Sequence, residues 1–310
     1  MITTFKMSVA ICTRNRHEDL WKCIESISKQ KSINNDQIEI IIIDDGETSK
    51  DWLQNAGDLL ISNNMDLRYL PKKESESGLI KSRIKSVEFS KYENLLFLDD
   101  DVELEQDYFL TLKKTLSNYP DAVGISGADQ GFVCTPKGRL LMLLSGRSHF
   151  SPGKLSWSGF ASAMNMWNKH SNVFKTEFLH GCNMCYRKKY LSDIKDVEWL
   201  KGYSLGEDLY ISYLAGNHGS MYVNPDLKLL HHGSPTSRDK AEFVSYTKII
   251  NHFHLLKTRN KVNLFRYLML RWTACFLSIE AKLKRNDEAY SGYRKGTKEL
   301  RNLFAANRVT

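Results

Sequence analysis

Leu95-Leu96-Phe97-Leu98-Asp99-Asp100-Asp101 decides how this chain is read: four apolar residues run straight into three adjacent carboxylates. An apolar run of that length, closed by polar residues, fits a short strand covered on both faces. Two earlier stretches have the same design. Ser8 to Cys12 is followed by Thr13-Arg14-Asn15, and the largely β-branched Ile38 to Ile43 by Asp44-Asp45-Gly46. Around them, His17 to Gln30 carries Leu20, Trp21, Ile24 and Ile27 at helical spacing, and Ser82 to Phe89 has Ile84 and Val87 three apart. Asp107 to Ser117 reads as a helix and Ala122 to Ile125 as a strand. Alternation of strand and helix over roughly the first 130 residues predicts an α/β fold with a mostly parallel central sheet. Ligands of such sheets bind beyond the carboxyl ends of the strands. The polar residues after the three strands are therefore expected to converge on one edge.

The remainder is less periodic. Residues 131–180 are rich in Gly, Ser and aromatics and read as loops and irregular strands. Gly206 to Ala215 reads as a helix, Met221 to Val223 and Lys228 to Leu230 as short extended pieces, and the chain from Ala241 onward as helical and basic. Val262 to Ile279 is strongly apolar, but Arg266 and Arg271 interrupt it and it falls short of the roughly 20 residues of a spanning helix. It reads as a buried or interfacial helix. There are no internal repeats.

Composition narrows the class. The 310 residues are 42% hydrophobic and 26% charged with 18 Gly and 6 Pro, which excludes collagen-like, low-complexity and largely disordered chains. A mean hydropathy of −0.42 argues against many membrane spans. Cysteines at 12, 23, 134, 182, 185 and 275 show no disulfide-dense pattern and indicate a reducing compartment. No basic segment precedes an apolar core at the N-terminus, so no secretory signal is expected. The net charge of +8 is unevenly placed: residues 238–310 carry 16 basic and 6 acidic side chains, leaving the first 237 at −2. Such a tail suits an anionic membrane or nucleic acid, or is a solvated helical face.

Several residue groups carry candidate chemistry. Asp99-Asp100-Asp101 would repel one another without a counter-charge, and a hard divalent cation supplies one; an acidic turn capping the Asp107 helix is the plainer reading. Asp44-Asp45-Gly46 is either a turn or a receiver for a ribose or a base N–H. Glu207 and Asp208 open a helix, where acidic residues suit the dipole, yet a carboxylate there can also take a proton from a hydroxyl. His231 and His232 define no zinc site by themselves, although one can join an aspartate on a shared metal. Cys182 and Cys185 form a CxxC without a second pair, and His252 and His254 read as structural.

Taken in order, these motifs resemble glycosyltransferase family 2, inverting nucleotide-sugar-dependent enzymes of the GT-A (Rossmann-like) fold. The resemblance covers roughly residues 7–260. It rests on Val9-Ala10-Ile11-Cys12-Thr13-Arg14-Asn15-Arg16, Ile42-Ile43-Asp44-Asp45-Gly46, Gly78-Leu79-Ile80-Lys81-Ser82-Arg83, the Asp-x-Asp of Asp99 to Asp101, Gly181-Cys182-Asn183-Met184, Gly206-Glu207-Asp208 and the histidine pair. The resemblance implies that Thr13 and Asn15 border the nucleotide, with Asp45 facing its base. Arg83 would sit near the uracil or diphosphate, and Asp99 and Asp100 near the ribose. Asp101 would ligate Mn²⁺ or Mg²⁺, with His231, or alternatively His232, as an additional ligand. Asp208 would be the base supported by Glu207, and Gly181, Cys182 and Asn183 would flank the donor sugar. Ile84 replaces the usual Asn after the Arg, and Arg14 precedes Asn15 where relatives often have aromatic or small residues.

The implied layout is a GT-A catalytic domain over 1–237, with a donor half of about 1–130 and an acceptor half of about 131–237, followed by a basic helical region over 238–310. The implied reaction moves a sugar from a nucleotide-diphosphate donor, UDP-linked by default, to a hydroxyl of a glycan or lipid-linked glycan, as in polysaccharide biosynthesis. Nucleic acid is not an expected partner. The expected setting is cytoplasmic, with peripheral membrane contact or oligomerisation through the C-terminal helices. The rival readings are a sugar-phosphate nucleotidyltransferase, which lacks its Gly-rich basic signature here, and a nucleic-acid-binding protein using the tail, which leaves the acidic motifs unexplained.

Overall fold

Four strands, β1 (Lys6–Thr13), β2 (Gln37–Asp44), β3 (Met65–Pro71) and β4 (Asn94–Asp99), form the parallel half of the sheet in a computed structural model that describes residues 4–31, 36–133, 135–201, 204–234 and 240–307. Helices α1 (His17–Ser28), α2 (Lys50–Ile61) and α3 (Leu79–Phe89) make the crossovers. The β-branched run of β2 divides by parity, as successive side chains of a strand must. Ile40 and Ile42 pack with Leu20 and Ile24 of α1 and Leu60 of α2, while Ile41 and Ile43 pack with Ile80 of α3 on the other face. Covering both faces is what makes the run continuously apolar.

The other half of the sheet is mixed. After β5 (Val102–Leu104) and α4 (Tyr108–Asn118) come β6 (Gly124–Asp129), α5 (Pro136–Leu144), β7 (Phe174–Thr176), β8 (Asn183–Arg187), α6 (Glu207–Gly216) and β9 (Met221–His231). The strand order is β3-β2-β1-β4-β8-β6-β9-β5, with β7 paired to β9. β8 lies antiparallel to both β4 and β6, and β5 and β7 are antiparallel to β9. The fold class is therefore as expected from sequence.

Individual elements depart from that expectation. α2, β3 and α5 were not legible, and the two extended pieces around residues 221–230 are one strand. Pro225 lies inside β9 where the pairing with β6 shifts register between Ser126 and Ala128, so its missing N–H costs no ladder bond. α5 begins with Thr135 as N-cap and Pro136 at its first turn, but none of its side chains is buried, so no periodic stripe marks it.

The C-terminal part is three helices, α7 (Ala241–Thr258), α8 (Leu264–Leu283) and α9 (Asp287–Asn307). Ile249, Phe253, Leu270, Leu277, Tyr293 and Leu300 build a separate apolar cluster that takes in Phe160. α7 also reaches the sheet, since Asn251 Nδ2 donates to the Leu205 carbonyl at 2.8 Å and Leu255 packs among the residues above α6. The domain boundary expected at 237/238 lies outside the described residues, as does Cys134. Among those described, Cys12, Cys23, Cys182, Cys185 and Cys275 are free thiols, and no helix is long and apolar enough to cross a membrane.

Candidate active site

Register gathers the polar strand ends. Thr13 pairs with Asp44 across β1 and β2, and Cys12 with Asp99 across β1 and β4, so the ends of the three central strands lie side by side. A cleft of about 260 Å³ opens there, lined by Thr13, Arg16, Asp45, the three aspartates and His231 on one side and by Gly181, Glu207 and Asp208 on the other.

Asp44 is fully buried and holds the turn after β2, accepting from the Gly46 N–H at 2.7 Å, Thr48 Oγ1 at 2.7 Å and the Tyr69 hydroxyl at 2.9 Å. Asp45 then points into the cleft, with Lys72 Nζ at 2.5 Å and the Gly78 N–H at 2.8 Å on its carboxylate. Asn15 adopts φ 55° and accepts from the Glu47 N–H at 3.3 Å. A Cβ on Gly46 would fall 2.2 Å from its Oδ1, so this glycine lets two loops touch. Asn15 supports the wall and is not among the lining residues.

The triple aspartate separates into different roles. Asp100 turns inward, accepting from Thr13 Oγ1 at 2.7 Å and Arg16 Nη1 at 2.9 Å. Burial pushes its pKa up to about 6, against the pull of Arg16 and Thr13. Asp99, Asp101 and His231 present a carboxylate oxygen, a carboxylate oxygen and a ring nitrogen, all within 4.8 Å of one another. Asp101 Oδ1 is buried with no well-formed hydrogen bond, although His231 Nε2 stands 3.1 Å away. Burial pushes Asp101 up, yet the facing His231, the Ser234 N–H and Arg16 outweigh it and hold its carboxyl below the usual range. Burial likewise opposes charge on His231, but Asp101 and Asp99 raise its pKa above the ordinary value. Two carboxylates and an imidazole with an orphaned oxygen fit a hard divalent cation. Asp99 thus stands in the cluster with Asp101, while Asp100 turns away from it.

His232, the alternative ligand, faces away and meets Glu103 at 2.7 Å. Sequence reasoning missed His180, which lines the cleft with Nδ1 3.2 Å from Cys182 Sγ. Burial and the neighbouring His231 lower its pKa to about 4. Nothing in its sequence surroundings marks it. Asn183 is fully buried beneath the cleft, where its Oδ1 accepts from Ser126 Oγ and the Gly127 N–H and ties β8 to β6.

The opposite wall is the start of α6. Gly206 caps it at φ 96°, a left-handed conformation that suits glycine. Burial raises the pKa values of both Glu207 and Asp208, and Asp208 adds like charge to Glu207. Gly181 packs against Asp208, where a Cβ would lie 3.3 Å from the Asp208 Cβ. Arg83 links the walls from below. It is fully buried, donates to Asp99 Oδ1 at 2.8 Å and the Gly181 carbonyl at 3.0 Å, stands 3.9 Å from Glu207 Oε1 and lies 5.1 Å from the centre of the Phe97 ring. It does not line the cleft; it acts on the carboxylates that do.

A family model described as "Glycosyl transferase family 2" matches residues 8–195. A glucosyl-dolichyl phosphate glucuronosyltransferase of Haloferax volcanii is 32% identical over 126 residues, 39% of this chain and 37% of that protein. The glycosyltransferase GlyA of Streptococcus pneumoniae serotype 4 is 29% identical over 126 residues, 40% of this chain and 17% of that protein. The match thus spans little more than a third of one relative and a sixth of the other. Among solved structures, the mannosyltransferase PcManGT of Pyrobaculum calidifontis, in complex with GDP-Man and Mn²⁺, aligns over 99% of this chain and 87% of its own with TM-score 0.56 and 14% identity. S. aureus TarS 1–349 with UDP-GlcNAc aligns over 95% and 92%, with TM-score 0.53 and 13% identity. At such identities the likeness speaks for the fold.

Proposed function

The chain belongs to glycosyltransferase family 2, and on that premise we propose that it moves a sugar from a nucleotide-diphosphate donor, with UDP the first choice, to an acceptor hydroxyl with inversion at the anomeric carbon. The observation that carries the proposal is one cleft with two unlike walls, Asp99, Asp101 and His231 on one side and the buried carboxyls of Glu207 and Asp208 on the other. In this reading residues 1–237 are the GT-A catalytic domain and 238–310 a helical region packed on it, in a cytoplasmic setting.

Each residue has a distinct task. Thr13 and Asp45 border the nucleotide, with Asp45 oriented by Lys72 and the Gly78 N–H. Asp99, Asp101 and His231 would hold Mn²⁺ or Mg²⁺. When bound, that ion supplies Lewis-acid neutralisation of the departing diphosphate. Asp208 accepts the proton of the acceptor hydroxyl while the hydroxyl oxygen bonds to the anomeric carbon and the bond to the diphosphate oxygen breaks. Its raised pKa suits that task, because a base titrating closer to neutrality takes a proton more readily. Burial raises the pKa of Glu207 as well, and it supports Asp208 from the adjacent position. Arg83 sets the positions of Asp99 and Gly181 from beneath. The Haloferax relative is by name an enzyme of a glucosyl-dolichyl phosphate, which supports a sugar on a lipid phosphate as the acceptor class.

Asp208→Asn tests the assignment. Transfer from a nucleotide sugar is expected to fall by about 10²- to 10⁴-fold, with nucleotide affinity measured by calorimetry unchanged. Ordinary turnover by this variant removes Asp208 as the base.

A further inference from the structure

α8 has two apolar faces. Tyr267, Leu270, Ala274 and Leu277 are buried against α7 and α9. Phe265, Leu268 and Trp272 lie on the opposite side at helical spacing, each at least 50% exposed. A second element extends that outer face. Trp272 Nε1 donates to the Leu144 carbonyl at 2.7 Å and Thr273 Oγ1 to the Ser145 carbonyl at 2.8 Å, which seats the end of α5 on α8. Leu140, Leu141 and Leu144 of α5 are 42–59% exposed. Trp157, its ring centre 5.7 Å from that of Phe265, continues the surface from the intervening loop. Isolated exposed leucines are ordinary; a contiguous two-helix apolar face is not.

The charge around it is one-sided. Residues 136–147 and 261–285 hold nine Lys or Arg and one acidic residue, Glu280, which is paired with Arg147 and Lys284. An apolar face carrying Trp and Phe, on segments rich in Lys and Arg, has the chemistry of a helix lying in the interface of an anionic bilayer. Along the chain the face follows closely on the cleft: the Phe132 ring stacks on His180 at 5.7 Å, and α5 begins at Pro136.

We propose that α5 and the outer face of α8 together form a monotopic docking surface for an anionic lipid bilayer. The basic tail as a whole does not serve this role. α9, with four basic and three acidic side chains, is nearly balanced in charge and turns its apolar residues inward against α7 and α8. The surface claim stands apart from the transfer reaction. That the bilayer would carry a lipid-borne acceptor rests on the reaction proposed above.

Flotation of the full chain with phosphatidylcholine vesicles, with and without phosphatidylglycerol, tests the surface. Binding is expected only to the anionic vesicles and is expected to weaken as salt rises. Leu141→Glu and Leu268→Glu together are expected to lower binding by at least about tenfold at an unchanged unfolding midpoint, both side chains being already half in water. A triple neutralisation of Lys137, Arg139 and Arg271 to Gln is expected to abolish the preference for anionic lipid. Absence of flotation, or equal flotation by the Glu variants, overturns the proposal. So does sedimentation showing that the Glu substitutions dissociate a dimer of a chain that ignores lipid, since the face would then belong to a second copy. None of these measurements requires donor or acceptor, so their failure leaves the transfer reaction untouched.

Discussion

Arg83→Met removes a buried guanidinium that underlies both walls of the cleft, and its cost can be worked out from the contacts. The pair with Asp99 contributes little, about 1 kcal/mol or less, because the Asp99 side chain is 31% exposed and water replaces part of the interaction. The charged hydrogen bond to the Gly181 carbonyl is worth about 1.5–3 kcal/mol, and stacking on Phe97 in a dry setting about 2 kcal/mol. Glu207 loses a cation at 3.9 Å, a loss softened because burial already pushes its carboxyl pKa up. Against these losses, Nε and Nη1 of Arg83 are buried without partners, and an apolar side chain relieves that. The net expectation is a loss of about 3 kcal/mol, at the low end for breaking a buried pair. Urea unfolding of both proteins, compared at equal slope, measures it. Nucleotide affinity should fall as well, because Asp99 and Gly181 lose their common anchor. A stability change below about 1 kcal/mol with unaltered nucleotide binding would refute the argument that this buried charge organises the site.

Two further outcomes follow from the C-terminal helices. His252 is buried against Phe160 with ring centres 3.6 Å apart, and burial lowers its pKa from 6.5 to about 4. The unfolded chain therefore binds the extra proton between those values, so this residue's stabilisation, on the order of 3 kcal/mol, is complete above pH 6.5 and lost as pH falls toward 4; urea midpoints from pH 4.5 to 7.5 should show a shallower acid slope for His252→Gln. Gly292 sits where α9 crosses α7, and a Cβ there would fall 2.2 Å from the Glu242 carbonyl. Gly292→Ala should cost about 1–3 kcal/mol despite its better helix propensity, and a raised melting temperature would disprove the close approach.

Sequence legibility followed how locally each feature is specified. β1, β2 and β4 announced themselves because a strand covered on both faces must be apolar throughout, α1, α3 and α4 because each buries one stripe, and α6 because it is apolar and buried nearly all round. β3 hid because its side chains are mostly only half buried, α2 was passed over although Ser49 caps it, and α5 hid because it buries no side chain. At the site, Thr13, Asp45, Asp101, Glu207, Asp208 and His231 stood out as polar groups at strand or helix ends, and all line the same cleft. His180 and Lys72 did not, since each acquires its place only through partners distant in the chain, Cys182 apart.

The sequence by itself determined the α/β class, the family motifs and the edge on which the chemistry gathers, because strand length and apolar periodicity are properties of neighbouring residues. Only the tertiary structure decided which aspartates and which histidine come within reach of one another and which face of α8 remains open. Those choices depend on parity, register and the groups arriving from other elements: Arg16 and Thr13 draw Asp100 inward, Glu103 draws His232 away, and α5 completes a surface that no single stretch of chain encodes.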